Sequence, residues 1–234
     1  MIKKQMKKQE ERCETGVSGF DSLCEGGFVR DSINLVVGNA GAGKTTFLLQ
    51  FLYNGATRFN EKGLYISFEP EPMDLFKAGK SQGMDVEKLD KEGRCMVLKF
   101  DSRMPVKDLQ IKITKMIAEH DIKRICFDPI NVFAIDLPKD TSSRRQIYDL
   151  LVLFKKLNVC VVIAGEADED KEICLSEEIT FSKYLVDGVV ELYNSGISGE
   201  GDRALRIVKM RMTNHFIGPV GMNITSSGIK VLKP

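Results

Sequence analysis

The sequence predicts an α/β fold with a central, mostly parallel sheet flanked by helices and antiparallel strands added at its C-terminal end. Three observations point there. From Ser32 to Gly165, short Val- and Ile-rich runs alternate with segments of helical periodicity, as in strands covered on both faces by crossover helices. The stretch "GNAGAGKTT" (38–46) joins the first such run to the first helix. After residue 187, strand-like runs succeed one another with turn residues and no helix between them.

In order, "INLVVG" (33–38) is a short apolar run ending in Gly, a buried strand, and "KTTFLLQFLYNGATRF" (44–59) has helical spacing. "GLYISFE" (63–69) is a second strand, and "PMDLFKAGKSQG" (72–83) a helix closed by Gly83. "CMVLKF" (95–100) is a strand, and 106–121 a helix with Leu109, Ile113, Met116 and Ile117 at helical intervals. "RICFD" (124–128) is a strand, 142–157 a serine-capped helix, and "CVVIAG" (160–165) another buried strand. "GVVELYN", "DRALRIVKMR" and "MNITSSGIKVL" are expected to be antiparallel. Strand alternation would put Lys209 and Arg211 on the face of Leu205 and Ile207, an apolar stripe ending in two cations.

A chain of 234 residues suits one domain, 15–234, behind a charged tail, 1–14, which Lys3, Lys4, Lys7 and Lys8 make basic. Lys plus Arg (34) nearly balances Asp plus Glu (33), which argues against a nucleic-acid coat or an acidic tail. The six cysteines form no CxxC pair and read as buried thiols of a reducing compartment. No run has the length of a membrane span, and the N-terminus lacks a signal peptide's apolar core. A cytoplasmic protein without membrane contact is expected.

The 38–46 stretch fits G-x-x-x-x-G-K-[ST] with Gly38, Gly43, Lys44 and Thr45 in register, in the strand–helix context of a P-loop. Its glycines (Gly38, Gly41, Gly43) let the backbone of Asn39, Ala40, Ala42 and Thr46 turn N–H groups toward phosphate oxygens at a helix N-terminus. Lys44 would reach the β- and γ-phosphates, and Thr45 a Mg²⁺ ion. Asp128, ending a buried strand, is the expected carboxylate on the metal side. Glu69, at the end of the second strand, would align or activate water, with Glu71 as second choice. Glu166 either senses the γ-phosphate or faces solvent.

These motifs, with "GVSGFDSLCEGGF" (16–28), "YISFEPEPMDL", "KMRMTNH" and "NITSSGI", make the chain resemble the KaiC-like ATPases of the RecA superfamily over about 16–233. It corresponds to one of the two tandem domains of the clock protein KaiC. The resemblance implies a P-loop, RecA-like ATPase binding ATP and Mg²⁺ between the subunits of a ring, expected to be hexameric, that regulates a partner protein. It implies that Lys209 and Arg211 reach the γ-phosphate of the adjacent subunit, and that Ser226 and Ser227 lie near the adenine of a neighbour. The family's second adjacent glutamate is replaced by Pro70, so turnover is expected to be slow. Lys183 and Tyr184 stand where KaiC's second domain carries its Ser-Thr phosphorylation pair, so autokinase activity is not expected.

Two other functions compete. A RecA/RadA-type recombination protein would bind DNA through 136–146, with Arg144 and Arg145, and 166–179. The second segment is strongly acidic, which disfavours nucleic acid. A nucleotide-switched scaffold without significant hydrolysis is the other.

Overall fold

The computed structural model describes residues 11–132, 141–168, 174–175, 183–194 and 203–233. Twelve strands and five helices are named here. Strand β1 is Arg12–Cys13, β2 Phe28–Val29 and β3 Ile33–Gly38, followed by helix α1, Lys44–Arg58. Then come β4 Lys62–Ser67, α2 Pro72–Ser81, α3 Val86–Lys91, β5 Cys95–Lys99 and α4 Val106–His120. The chain continues through β6 Ile122–Asp128, α5 Thr141–Lys156, β7 Cys160–Asp168 and β8 Cys174–Leu175. It closes with β9 Gly188–Asn194, β10 Arg203–Met210, β11 Pro219–Thr225 and β12 Gly228–Val231.

The main sheet runs β12-β11-β10-β9-β3-β7-β6-β4-β5, with β8 paired antiparallel to β7. From β9 to β5 every neighbouring pair is parallel. Alternation along β3 sends Ile33, Leu35 and Val37 into the core under α4 and α5, and Val36 into the core under α1, α2 and α3. The parallel α/β reading and the helix and strand positions hold to within a few residues. The short α3 and the β1–β2 pair carry too little periodicity to be legible in advance.

Three expectations are corrected. Residues Arg12–Cys13 are not tail: they pair with Phe28–Val29, and Cys13 is fully buried. Strand β9 is parallel to β3, and among the strands after residue 187 antiparallel pairing begins with β10 against β9. Lys209 and Arg211 do not share the face of Leu205 and Ile207, because the register shifts between Ile207 and Lys209. That irregularity inserts a residue and puts Met210 into the core with Leu205 and Ile207, turning Lys209 to the opposite face. Arg211 lies just past the strand. Cys13, Cys24, Cys95, Cys126 and Cys160 are buried free thiols, as expected.

Helix α1 is pinned from two sides. Phe47 and Phe51 meet Phe20 and Phe28 with ring centroids 5.3–6.3 Å apart, so the segment before β3 seals one flank of the helix. Each such ring, fully buried, contributes about 1.5–3 kcal/mol. On the sheet side, Arg124 of β6 is 1% exposed and lies over the rings of Phe51 and Phe59. It donates to the carbonyl of Phe51 at 3.1 Å and to Glu61 at 2.6 Å. Glu61 also accepts from Arg30 at 2.5 Å. Burial raises the Glu61 pKa, but the hydrogen bond from Arg30 and the charge and hydrogen bond of Arg124 hold it below the usual glutamate value.

Removing Glu61 leaves a buried guanidinium uncompensated, so Glu61→Ala is expected to lower stability by about 3–5 kcal/mol in chemical denaturation. A depressed carboxylate stabilises the fold above its unfolded pKa, about 4.3, and that contribution vanishes as pH falls through the lower folded value. Wild-type stability should therefore drop more on acidification through this window than that of the variant.

Candidate active site

The parallel strands all end at one edge of the sheet, and the chemically distinctive side chains collect there. Strand β3 ends at Gly38, where a Cβ would stand 2.4 Å from the Leu192 carbonyl oxygen. The loop turns through Gly43 at φ 100°, a left-handed conformation that leads straight into α1. Asn39 ties this loop to β9, donating to the Asn194 carbonyl at 2.8 Å and accepting from the Asn194 N–H at 3.2 Å. Ala42 is buried beneath the loop, while Ala40 and Gly41 are exposed on it.

Lys44 Nζ lies across the loop, donating to the carbonyls of Gly38 and Asn39 at 2.8 and 3.1 Å. Burial lowers its pKa, opposed by the negative charges of Glu166, Asp128 and Glu69. Thr45 Oγ1 donates to Asp128 Oδ2 at 3.4 Å. This pair of oxygen donors, one hydroxyl and one carboxylate, suits a hard cation such as Mg²⁺, which keeps several waters and takes few protein ligands. Thr46 is buried, its hydroxyl accepting from Gln82 of the α2 C-cap at 3.0 Å.

Glu69 and Glu71 separate clearly. Glu71 is ion-paired with Lys99 at 2.5 Å, whereas Glu69 offers Lys99 only its backbone carbonyl. The Glu69 carboxyl is exposed, and its pKa is raised by partial burial and by Glu166 and Asp128, against the pull of Lys44 and Lys99. Pro70 does not disturb the turn, since its carbonyl accepts from Ser67 Oγ at 2.6 Å. Glu166 follows the apolar part of β7. Its backbone N–H donates to Asn131 at 2.8 Å, and its exposed side chain contributes to the field on Lys44 and Glu69.

The turn carrying Ser226 and Ser227 joins β11 to β12. Gln50 of α1 holds this hairpin through Ile229, donating to its carbonyl at 3.2 Å and accepting from its N–H at 2.8 Å. Ile224 Cδ1 lies 2.8 Å from where a Gly43 Cβ would stand, and a Gly83 Cβ would stand 3.2 Å from the Ser226 carbonyl. The turn therefore flanks this chain's own P-loop helix.

Lys209 and Arg211 are at the other end of the sheet. Arg211 N–H bonds to Asp187, whose N–H bonds to Ile33 at the start of β3. A strand of that length places them about 16 Å from Gly38. Lys209 Nζ donates to the carbonyls of Lys183 and Val186, and Arg211 pairs with Asp187 at 3.5 Å. Burial and the charge of Arg211 lower the Lys209 pKa. Lys183 is ion-paired to the buried Glu191 at 2.8 Å, and Tyr184 is exposed.

Sequence reasoning missed three residues at the P-loop edge. Arg203 opens β10 and donates to the Gly41 carbonyl at 3.4 Å. Gln82 reaches Thr46. Tyr65 of β4 donates to Asp128 Oδ2 at 2.5 Å. Tyr65 begins the quoted "YISFEPEPMDL", but nothing in its spacing aims it at Asp128; strand direction and register bring in Tyr65 and Arg203, and the end of α2 brings in Gln82. Of the segments assigned to DNA contact, 136–140, 169–173 and 176–179 lie outside the described residues, as does tail 1–10, while Arg145 pairs with Asp149 on α5.

The KaiC ATPase family model matches residues 13–234. The chain is similar to the circadian clock oscillator protein KaiC of Prochlorococcus marinus subsp. pastoris, 29% identical over 98% of this chain and 47% of that protein. It is 30% identical to KaiC of a Nostoc species, over 94% of this chain and 44% of that one. The chain thus spans about half the length of the curated relatives it matches. A crystal structure of a KaiC-like protein from Pyrococcus horikoshii OT3 superposes with a TM-score of 0.85 at 30% identity, over 96% of this chain and 100% of that chain. The chain belongs to the KaiC ATPase family and has its RecA-like fold.

Gly43→Ala is expected to lower stability by about 1–3 kcal/mol, from left-handed strain and the contact with Ile224. In a thermal-unfolding double-mutant cycle, Ile224→Ala should recover part of that loss, whereas additive losses would contradict the packing of the hairpin on the P-loop.

Proposed function

We propose that this member of the family binds ATP with Mg²⁺ in a ring of identical subunits, expected to be hexameric, and hydrolyses it slowly, and that the nucleotide state of the ring controls a partner protein. The observation that carries this reading is the convergence of Lys44, Thr45, Asp128 and Glu69 at the strand ends beside the P-loop. Gly38, Asn39, Ala40, Gly41, Ala42, Gly43, Lys44, Thr45 and Thr46 would surround the phosphates, with the Ser226–Ser227 turn and Arg203 along the rim.

Thr45 and Asp128 would hold Mg²⁺, whose chemistry is to neutralise charge on the β- and γ-phosphates. Lys44 withdraws charge from the same oxygens. Glu69 orients a water toward the γ-phosphorus and takes its proton as the new P–O bond forms. The bond to the β–γ bridging oxygen breaks, leaving ADP and phosphate. A single raised carboxyl, with Pro70 in place of a second, fits slow turnover. Glu166 would complete the negative field that keeps Lys44 oriented.

Lys209 and Arg211 would complete the site of a neighbouring subunit. Support comes from their position: their own P-loop is out of reach, and Arg211 is exposed among the exposed side chains of Tyr184 and Met212. A cation supplied in this way is worth roughly 10³–10⁵ in rate. Among the described residues no helix is long and apolar enough to cross a membrane. A cytoplasmic location, no membrane contact and no nucleic-acid partner complete the proposal, as does the absence of autokinase activity at Lys183 and Tyr184.

Phosphate release and light scattering test it. The wild type should assemble with ATP and Mg²⁺. Lys44→Ala should lose nucleotide binding, Glu69→Gln should bind but release phosphate at least tenfold more slowly, and Arg211→Ala should do the same. Mixing Lys44→Ala with Arg211→Ala subunits should restore part of the activity, since one kind of interface then carries both groups. Equal rates in all four proteins, a wild type that stays monomeric, or salt-sensitive capture of single-stranded DNA would overturn the proposal.

A further inference from the structure

The site described above uses Thr45 and Asp128 and leaves unexplained the tyrosine between them. Tyr65 is fully buried in the core under α1. It lies level with Cys126 of β6, while Ser67 lies level with Asp128. Residues two apart on a strand share a face, so Tyr65 stands diagonally below Asp128 on the same side of the sheet. The long axis of the ring spans this diagonal, and its hydroxyl ends on Asp128 Oδ2 at 2.5 Å. The same hydroxyl meets Thr45, whose own Oγ1 is 3.4 Å from that carboxylate oxygen.

The surroundings of the ring are apolar, and phenylalanine would fill the same volume with no polar atom to satisfy. A buried hydroxyl is unfavourable without a partner. Here both partners belong to the candidate metal site. Among the described residues Asp128 Oδ1 accepts no hydrogen bond, so the two hydroxyls occupy one oxygen of the carboxylate and leave the other available.

We propose that Tyr65 is a positioning residue of the nucleotide site: its phenol locks the Asp128 carboxylate in the rotamer that presents Oδ1 to the water shell of a nucleotide-bound divalent cation. The proposal rests on the reading of Thr45 and Asp128 as the metal side of an ATP site. Tyr65 touches neither substrate nor metal and acts through Asp128 alone.

The test is binding of a fluorescent ADP analogue to the full chain, titrated with Mg²⁺. In Tyr65→Phe the metal-free affinity should stay within about twofold of wild type, because the P-loop is untouched. The Mg²⁺ concentration giving half of the metal-dependent effect should rise roughly tenfold, the size of one charge-assisted hydrogen bond. With ATP at saturating Mg²⁺, kcat should fall several-fold while KM changes little. A merely structural role would lower the unfolding temperature and the metal-free affinity together without moving the Mg²⁺ midpoint, and that result overturns the proposal. A wild type that binds the analogue with no Mg²⁺ dependence overturns the metal-site reading and the proposal with it. If the variant does not fold, wild-type chain labelled at tyrosine ¹³Cζ decides. Tyr65, assigned from Phe variants of Tyr53, Tyr148, Tyr184 and Tyr193, should shift when Mg²⁺ is added to the ADP-bound protein. An unmoved resonance overturns the proposal.

Discussion

A parallel sheet buried on both faces imposes one constraint from which the rest of this structure follows: every strand must end at the same edge. The crossover helices return the chain to the opposite edge each time, so Gly38, Glu166 and Asp128 lie side by side, with Glu69 just past the end of β4, although 128 residues separate Gly38 from its partner Glu166 on β7 and 154 separate it from Leu192 on β9. Loop chemistry then needs only local means. Glycine allows the backbone to curl, and the first turn of α1 supplies unpaired N–H groups.

The position of α1 is what makes that edge a site rather than a set of strand ends. Its N-terminus must stay aimed at the cleft, and it is held at several points along its length. Phe20 and Phe28 close one flank, the Arg124–Glu61–Arg30 network braces the C-terminal half, and the β11–β12 hairpin is fastened through Gln50. The first is an apolar contact, the second a buried charge network in which each partner compensates another, and the third a side-chain amide bonded to the backbone N–H and C=O of one residue. Because these differ in kind, no single change of salt or pH releases them all.

The antiparallel return of β10 has the opposite consequence. Reversing strand direction brings Arg203 to the P-loop edge and carries Lys209 and Arg211 away from it. The irregularity between Ile207 and Lys209 then changes which face the cations occupy. These features explain why the strand was misread in part. Alternation is a sound rule only while pairing is regular, and pairing is a property of the partner strand. Legibility elsewhere followed the same line. The P-loop, Asp128 and Glu69 were readable because spacing along a strand and its following turn is local. Tyr65, Gln82 and Arg203 were not, since each acts across strands or elements.

By itself the sequence determined the alternation of elements, the phosphate-binding loop, and the carboxylates that end the second strand and β6, because each of these is written in neighbouring residues. Tertiary structure alone decided the direction of β9, the separation of Glu69 from the ion-paired Glu71, the seat of the Ser226–Ser227 turn on this chain's own α1, and the hydroxyl beneath Asp128. The physical reason is that hydrogen-bond register and ion-pair choice depend on distances between segments far apart in the chain, and those distances do not exist until the core has formed.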